Sequence, residues 1–350
     1  MPHELLKSKL HSYGIDKTTL NWIDSFLCHR RQQVRVEGEY SGWSKVESGV
    51  PQGSVLGPLL FSIYMNDIIK NIDSEIRLFA DDCVVYRPIK NAQDSKKLQK
   101  DIEKLEKWAN IWGMRFQPYK CHIMHLTRKR NIIQNKYTLK DTVLKTVENT
   151  KYLGVTITND LRLNAHINKT CMIANNHLNL LKRNIKSSDQ NSKEIAYKGL
   201  IRPVLEYASS VWDPHQDTLK QDLERVQKRA ARFVTNNYNY NPGSMTSLIS
   251  TLKWKSLRER RIANSLILFY KGLKGQARIP LENLEIRANR GRNQREMTFE
   301  LPYARTDIYK YSFIPKTLRL WNNLPQNTIH KAVNASNKVE IFAREIKRGA

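Results

Sequence analysis

Asp81 and Asp82 stand side by side between two apolar runs, residues 76–80 and 83–86. Both runs read as short strands, so the simplest local structure is a tight hairpin with the two carboxylates at its tip. Adjacent carboxylates repel, and they cost stability unless a cation neutralises them. A hard divalent ion such as Mg²⁺ suits oxygen ligands of this kind. Two such ions, roughly 3.5–4 Å apart, can hold the attacking and leaving oxygens of an in-line phosphoryl displacement. A solvated Asp-Asp turn with no chemistry is the alternative that the dipeptide alone leaves open.

A second segment bears on the choice. Gly49-Val50-Pro51-Gln52-Gly53-Ser54-Val55-Leu56-Gly57-Pro58 is a loop punctuated by Gly and Pro that leads into an apolar helix. Glycines let the backbone approach a ligand closely, and a helix N-terminus favours an anion such as phosphate. Gln52 adds an amide able to hydrogen-bond a base or sugar. A plain helix-entry loop is the competing reading.

These groups need elements to position them. Leu5, Leu6 and Leu10 predict a first helix ending near Gly14. A second helix follows, with Asp16 or Thr18 as N-cap. Residues 33–37 alternate polar and apolar, as in a half-buried strand. Residues 55–69 are apolar enough for a buried helix. Leu98, Ile102, Leu105, Trp108 and Trp112 recur at helical spacing, and Gly113 is placed to end that helix. Residues 152–157 read as another strand. Helical patterns return over 165–185, 192–207 and 219–233. Residues 238–244 read as a boundary, beyond which one helix, about 257–270, precedes irregular basic sequence.

The charge is unevenly spread. Lys and Arg number 59 against 33 Asp and Glu, a formal net charge of +26. Residues 1–100 hold 14 basic and 12 acidic side chains; the rest holds 45 and 21. A basic back half predicts a polyanionic partner, nucleic acid first, because each phosphate neutralised releases counterions. The basic residues mix with Trp and Tyr rather than lining one amphipathic face, which argues against a membrane surface. No apolar run approaches a bilayer span, and the start lacks a signal-peptide pattern. The expectation is an intracellular protein, in nucleus or cytoplasm. Arg128-Lys129-Arg130 could serve as a nuclear signal or be a charged linker. The four cysteines (28, 83, 121, 171) form no CxxC pair, which excludes a disulfide scaffold. Cys121, His122 and His125 are the closest metal-like cluster, and an ordinary strand explains them better.

In order and spacing, the first two motifs together resemble the palm of a reverse transcriptase. Gly49-Val50-Pro51-Gln52-Gly53-Ser54 with Leu59-Leu60-Phe61 resembles the motif that positions template and nucleotide. Phe79-Ala80-Asp81-Asp82 resembles the metal-binding box, with Phe79 where many relatives carry Tyr, so that the ring is kept and the hydroxyl lost. Trp112-Gly113-Met114 with Lys120-Cys121 is similar to the next palm motif, and Tyr152-Leu153-Gly154-Val155 to the primer-grip strand. His3-Glu4-Leu5-Leu6, Tyr207-Ala208-Ser209-Ser210-Val211-Trp212 and Trp321-Asn322-Asn323-Leu324-Pro325 resemble segments of jockey-like non-LTR retrotransposon polymerases.

That resemblance implies RNA-templated DNA synthesis with RNA template, DNA primer and dNTP as partners. It implies two Mg²⁺ ions, with Mn²⁺ as a substitute, held by Asp81 and Asp82. Lys120 would lie near the incoming triphosphate. Pro51, Gln52, Gly53, Ser54, Phe79 and Ala80 would contact nucleotide and template, and Leu153 and Gly154 would support the primer end. The implied fold is α+β: a partial palm over 1–127, an antiparallel sheet backed by helices. A linker or hairpin follows over 128–150, then a primer-grip strand and helical thumb over 151–237, then a basic, mostly helical extension over 238–350.

The family places a further metal-binding Asp, and its fingers, before the stretch that begins here with Met1-Pro2-His3. Asp16, Asp24 and Asp67 fall outside its motifs. The expectation is that these 350 residues alone are inactive or nearly so, because two cations cannot be held against their mutual repulsion by one carboxylate face. An exposed sheet edge would also lower solubility. The rival expectation is a non-catalytic nucleic-acid-binding remnant of a mobile element.

Overall fold

A computed structural model describes residues 1–129, 132–133, 135–241, 243–281, 284–286, 297–334 and 339–349. It is a mixed α and β structure. It divides into two compact units, Met1–Glu148 and Asn149–Ala350.

The first unit opens with α1 (His3–Ser12) and α2 (Lys17–Leu27). Asp16 caps α2, its carboxylate accepting from the Thr19 backbone N–H at 3.0 Å. Four two-residue strands follow: β1 (Arg31–Gln32), β2 (Arg35–Val36), β3 (Glu39–Tyr40) and β4 (Ser44–Lys45). β1 pairs with β4 and β2 with β3, both antiparallel. The half-buried strand expected over 33–37 is instead an exposed arm: its alternation is real, but nothing covers Val34 or Val36. Next comes α3 (Leu56–Met65), shorter than the apolar run that encodes it.

β5 (Glu75–Phe79) and β6 (Asp82–Tyr86) form the expected antiparallel hairpin. α4 (Ala92–Ile111) begins with a capping box between Asn91 and Asp94 and ends at Trp112-Gly113, where Gly113 takes φ +60°. A 3₁₀ turn, Pro118–Lys120, leads to β7 (His122–Ile123). β8 (Thr138–Leu139) and β9 (Thr142–Val143) make a small hairpin, and β10 (Lys145–Thr146) pairs parallel with β7. The described strands form separate two-stranded ladders, not the single antiparallel sheet expected. Arg130, last residue of the basic tripeptide, lies outside the described residues.

The core of this unit has three parts, one of them Ile102 with Tyr137, Leu139 and Leu144. Leu6, Leu10, Ile23, Leu27, Leu60 and Tyr64 join α1, α2 and α3. Met65, Ile68 and Leu105 join α3 to α4, with Ile76, Leu78 and Val85 of the hairpin packed on them. The helical stripes and the alternating strand residues thus converge on one apolar floor beneath β5 and β6.

The second unit begins with β11 (Asn149–Tyr152) and β12 (Val155–Thr158), paired antiparallel. The single strand expected over 152–157 is therefore a hairpin, and Leu153-Gly154 is its turn, at φ +44° and +83°. Helices α5 (Asn164–Asn184), α6 (Gln190–Ala196), a π-helical stretch (Tyr197–Ile201), α7 (Arg202–Glu206), α8 (Ser209–Trp212) and α9 (Asp217–Thr235) follow. They bury Leu178, Ile201, Leu205, Trp212, Leu223 and Ala230 in one core.

Among the described residues the tail carries more helices than the one expected over 257–270. α10 (Ser244–Thr251), α11 (Leu257–Leu273), α12 (Asp307–Lys310), α13 (Phe313–Asn322), α14 (Gln326–Asn334) and α15 (Val339–Gly349) succeed one another. Phe269, Tyr270, Phe299, Trp321 and Phe342 form an aromatic core among them.

Candidate active site

The β5–β6 ladder fixes where the two carboxylates sit. Its register pairs Ile76 with Val85, Leu78 with Cys83 and Phe79 with Asp82. Opposed residues share a face, so Ile76, Leu78, Cys83 and Val85 point to the apolar floor while Phe79 and Asp82 point away. Phe79 is 61 % exposed. The turn is Ala80-Asp81. Ala80 takes φ +50°, a left-handed conformation that costs an L-residue about 1–2 kcal/mol. Strain of this kind persists where the surrounding structure over-determines it, and it is frequent at functional sites.

Asp81 and Asp82 are both exposed, and neither forms an ion pair among the described residues. Two bare acceptor groups on a rigid tip suit a hard cation in charge and in donor type. Among the described residues no third acidic, His or Cys side chain joins them in a metal-binding group.

Asp101 anchors the base of the hairpin. This fully buried carboxylate on α4 accepts from the backbone N–H of Asp73 (3.2 Å) and Ser74 (2.8 Å), from the Ser74 hydroxyl (2.6 Å) and from Lys104 (3.0 Å). Burial pushes its pKa up, but the hydrogen bonds from Ser74, Lys104 and Asp73 outweigh that and hold it below the usual carboxylate value. Asp101 falls in none of the sequence motifs. Its only signal was an acidic residue beside Ile102 on the apolar stripe of α4.

The Gly49–Ser54 loop is held from both sides. The Gly49 carbonyl is bonded by His3 Nε2 at 2.8 Å and accepts from Arg30 at 3.2 Å, and the Gly49 N–H donates to Met1 O at 2.8 Å. Ser54 donates to Pro51 O at 2.8 Å and accepts from the Gly57 N–H at 3.1 Å, closing the loop onto the start of α3. Gly49 and Gly53 both take φ +81°. Gln52 and Gly53 remain exposed; Pro51 and Ser54 are half-buried. His3 and Arg30 position this loop, and their sequence separation from it left no local signal.

Lys120 is exposed at the end of the 3₁₀ turn. The residue after it, Cys121, lies near enough to Cys83 of β6 to act on it electrostatically. Burial first, and the Cys121 charge second, push the Cys83 thiol up to about 11. Leu153 and Gly154 belong to the second unit. There the Tyr207 hydroxyl donates to Leu153 O at 3.0 Å, and a Cβ on Gly154 would sit 2.8 Å from the Tyr207 ring.

The other carboxylates near the start of the chain have structural partners. Asp16 caps α2, Asp24 pairs with Lys7 at 2.9 Å, and Asp67 pairs with Lys9. The Cys121, His122 and His125 grouping does not form a metal-binding cluster.

Two exposed, unpaired carboxylates on a strained hairpin tip are a candidate cation-binding group. Residues 1–157 match the family described as reverse transcriptase (RNA-dependent DNA polymerase). The chain is 30% identical to the probable RNA-directed DNA polymerase from transposon X-element of Drosophila melanogaster. It is 32% identical to the RNA-directed DNA polymerase from mobile element jockey of Drosophila funebris. Each match covers 61% of this chain and 24% of the relative. The match thus spans about a quarter of the length of these relatives.

Proposed function

We propose that this chain carries part of the palm, the thumb and the C-terminal region of a non-LTR retrotransposon polymerase that copies RNA into DNA. In this reading residues 1–127 contribute to the palm, 151–237 form the primer grip and thumb, and 238–350 form a basic, mostly helical extension. Its substrates are dNTPs on a DNA primer paired to an RNA template. The single observation that carries the proposal is the exposed, unpaired Asp81–Asp82 tip in a segment of reverse transcriptase sequence.

Asp81 and Asp82 would hold Mg²⁺, which when bound neutralises charge on the transferring phosphoryl group. Lys120 would add positive charge near the triphosphate. Gln52 and Gly53, with Phe79 and Ala80, would line the nucleotide and template, and the Leu153-Gly154 turn would support the primer end.

Among the described residues the Asp81–Asp82 pair has no third ligand, so we infer that these 350 residues alone synthesise little or no DNA. Primer extension on poly(rA)/oligo(dT) with Mg²⁺ tests both statements. The chain alone should give at most trace product. Joined to the upstream polymerase segment of the X-element relative, it should give product that disappears with Asp81→Ala. Synthesis indifferent to Asp81→Ala would refute the assignment.

The missing third ligand also favours a second reading, a nucleic-acid-binding protein without catalysis. In that case the joined protein stays inactive.

A further inference from the structure

We infer that α5, α9 and the loop after α9 form a second nucleic-acid surface, one that takes a single strand of RNA with its phosphates on a basic seam and its bases against Tyr238 and Tyr240. The inference deepens the proposed function and rests on it, since α5 and α9 fall in the segment read as the thumb; a binding assay that needs no synthesis tests it separately.

The seam is continuous. Asn176, Asn179, Lys182 and Arg183 of α5 line an open concavity of about 530 Å³. Arg229 of α9 is tied to α5 by a 2.8 Å hydrogen bond to Asn175. Arg225, Arg229 and Arg232 recur at four and three residues, so they share one stripe of α9. Arg232 carries the stripe on to Tyr240, with its guanidinium 4.0 Å from the ring centroid.

The charge along the seam is uncompensated. Among the described residues only Arg225 has a carboxylate partner, Asp222 at 2.8 Å; Lys182, Arg183, Lys228, Arg229 and Arg232 have none. Burial, and then the nearby Arg229 charge, lower the pKa of Lys182. Cations crowded this closely oppose one another, and a run of phosphates relieves them while releasing counterions.

The loop adds stacking surface. Residues 236–241 read Asn-Asn-Tyr-Asn-Tyr-Asn. Asn237 accepts from the Asn239 N–H at 3.0 Å, and Asn239 from the Asn241 N–H at 2.9 Å. The asparagines brace the backbone, and the tyrosines are left outside: Tyr238 is 50 % and Tyr240 72 % exposed. Exposed rings beside a basic groove form a platform for unpaired bases. A duplex offers phosphates to the seam but no free base faces to the rings. The amides of Asn176 and Asn179 donate and accept, as a ribose 2′-hydroxyl does, which favours RNA over DNA.

Fluorescence anisotropy with the 350-residue chain, a 5′-fluorescein 15-nucleotide oligo(rU) and EDTA tests this without any polymerase reaction. Tyr238→Ala/Tyr240→Ala should weaken binding by roughly tenfold or more at 150 mM KCl and leave the salt slope unchanged. Tyr238→Phe/Tyr240→Phe should bind as wild type, which separates ring stacking from a folding defect. Lys182→Gln/Arg229→Gln should lower the slope of log K against log salt by about 1.4, or about 0.7 for each phosphate released. Wild-type affinity in the alanine double variant would overturn the inference. So would an equal loss on a blunt RNA duplex, or equally tight binding of oligo(dT) of the same length.

Discussion

Lys9 Nζ lies 2.7 Å from Asp67 Oδ1, and the lysine side chain is only 2 % exposed. The same ammonium donates to Tyr64 O at 2.6 Å and lies 3.6 Å from the centroid of a Trp112 ring. Trp108 Nε1 donates to Asp67 at 3.0 Å. One buried charge pair therefore ties α1 to the end of α3 and to α4, which together form the floor under the candidate site.

Removing one member of that pair leaves the other charge buried. Lys9→Ala or Asp67→Ala should each destabilise the protein by about 3–5 kcal/mol in urea denaturation. Lys9→Met with Asp67→Asn should cost less than the sum of the two single changes, because no charge is then left alone. Strict additivity would mean the pair is not coupled.

Asp101 should make the hairpin acid-sensitive. Its folded pKa lies below the ordinary 3.8, so its contribution is present above that value and fades as pH falls through it. Asp24 and Asp189, also lowered by hydrogen bonds, act in the same direction. Thermal melts should show stability lost between roughly pH 5 and pH 2. Asp101→Asn should cost about 1.5–3 kcal/mol at pH 7 and flatten part of that acid loss. An unchanged acid profile in Asp101→Asn would contradict the anchoring role.

Gly154 combines φ +83° with an approach to the Tyr207 ring that a Cβ would bring to 2.8 Å. Gly154→Ala should therefore cost roughly 2–4 kcal/mol, from left-handed strain plus crowding. Adding Tyr207→Ala should remove the crowding part and leave the strain. A harmless Gly154→Ala would mean that the turn relaxes.

The β5–β6 hairpin and α4 were legible because their cores are local: Ile76, Leu78 and Val85 alternate, and Leu98 to Trp112 keep helical spacing. Leu153-Gly154 was misread as strand because apolar residues continue through the turn and only the glycine marks it. Residues 33–37 alternate as a half-buried strand does but have no surface to cover. The Gly49 anchors, His3 and Arg30, and the packing of Trp321 on Phe269 and Phe342 depend on residues far apart in the chain, which periodicity does not register.

Exposed, unpaired carboxylates should contribute little to folding. Asp81→Ala/Asp82→Ala should shift stability by no more than about 0.5 kcal/mol in urea denaturation. A large loss would make the pair structural.

Paramagnetic broadening tests the acidic tip most directly. Substoichiometric Mn²⁺ added to ¹⁵N-labelled protein should erase the amide signals of Phe79, Ala80, Asp81, Asp82 and Cys83 first. The same addition should spare them in Asp81→Ala/Asp82→Ala. Signals at the tip that survive Mn²⁺ in the wild-type chain, or vanish equally in the double variant, would contradict a metal-holding role for these two residues.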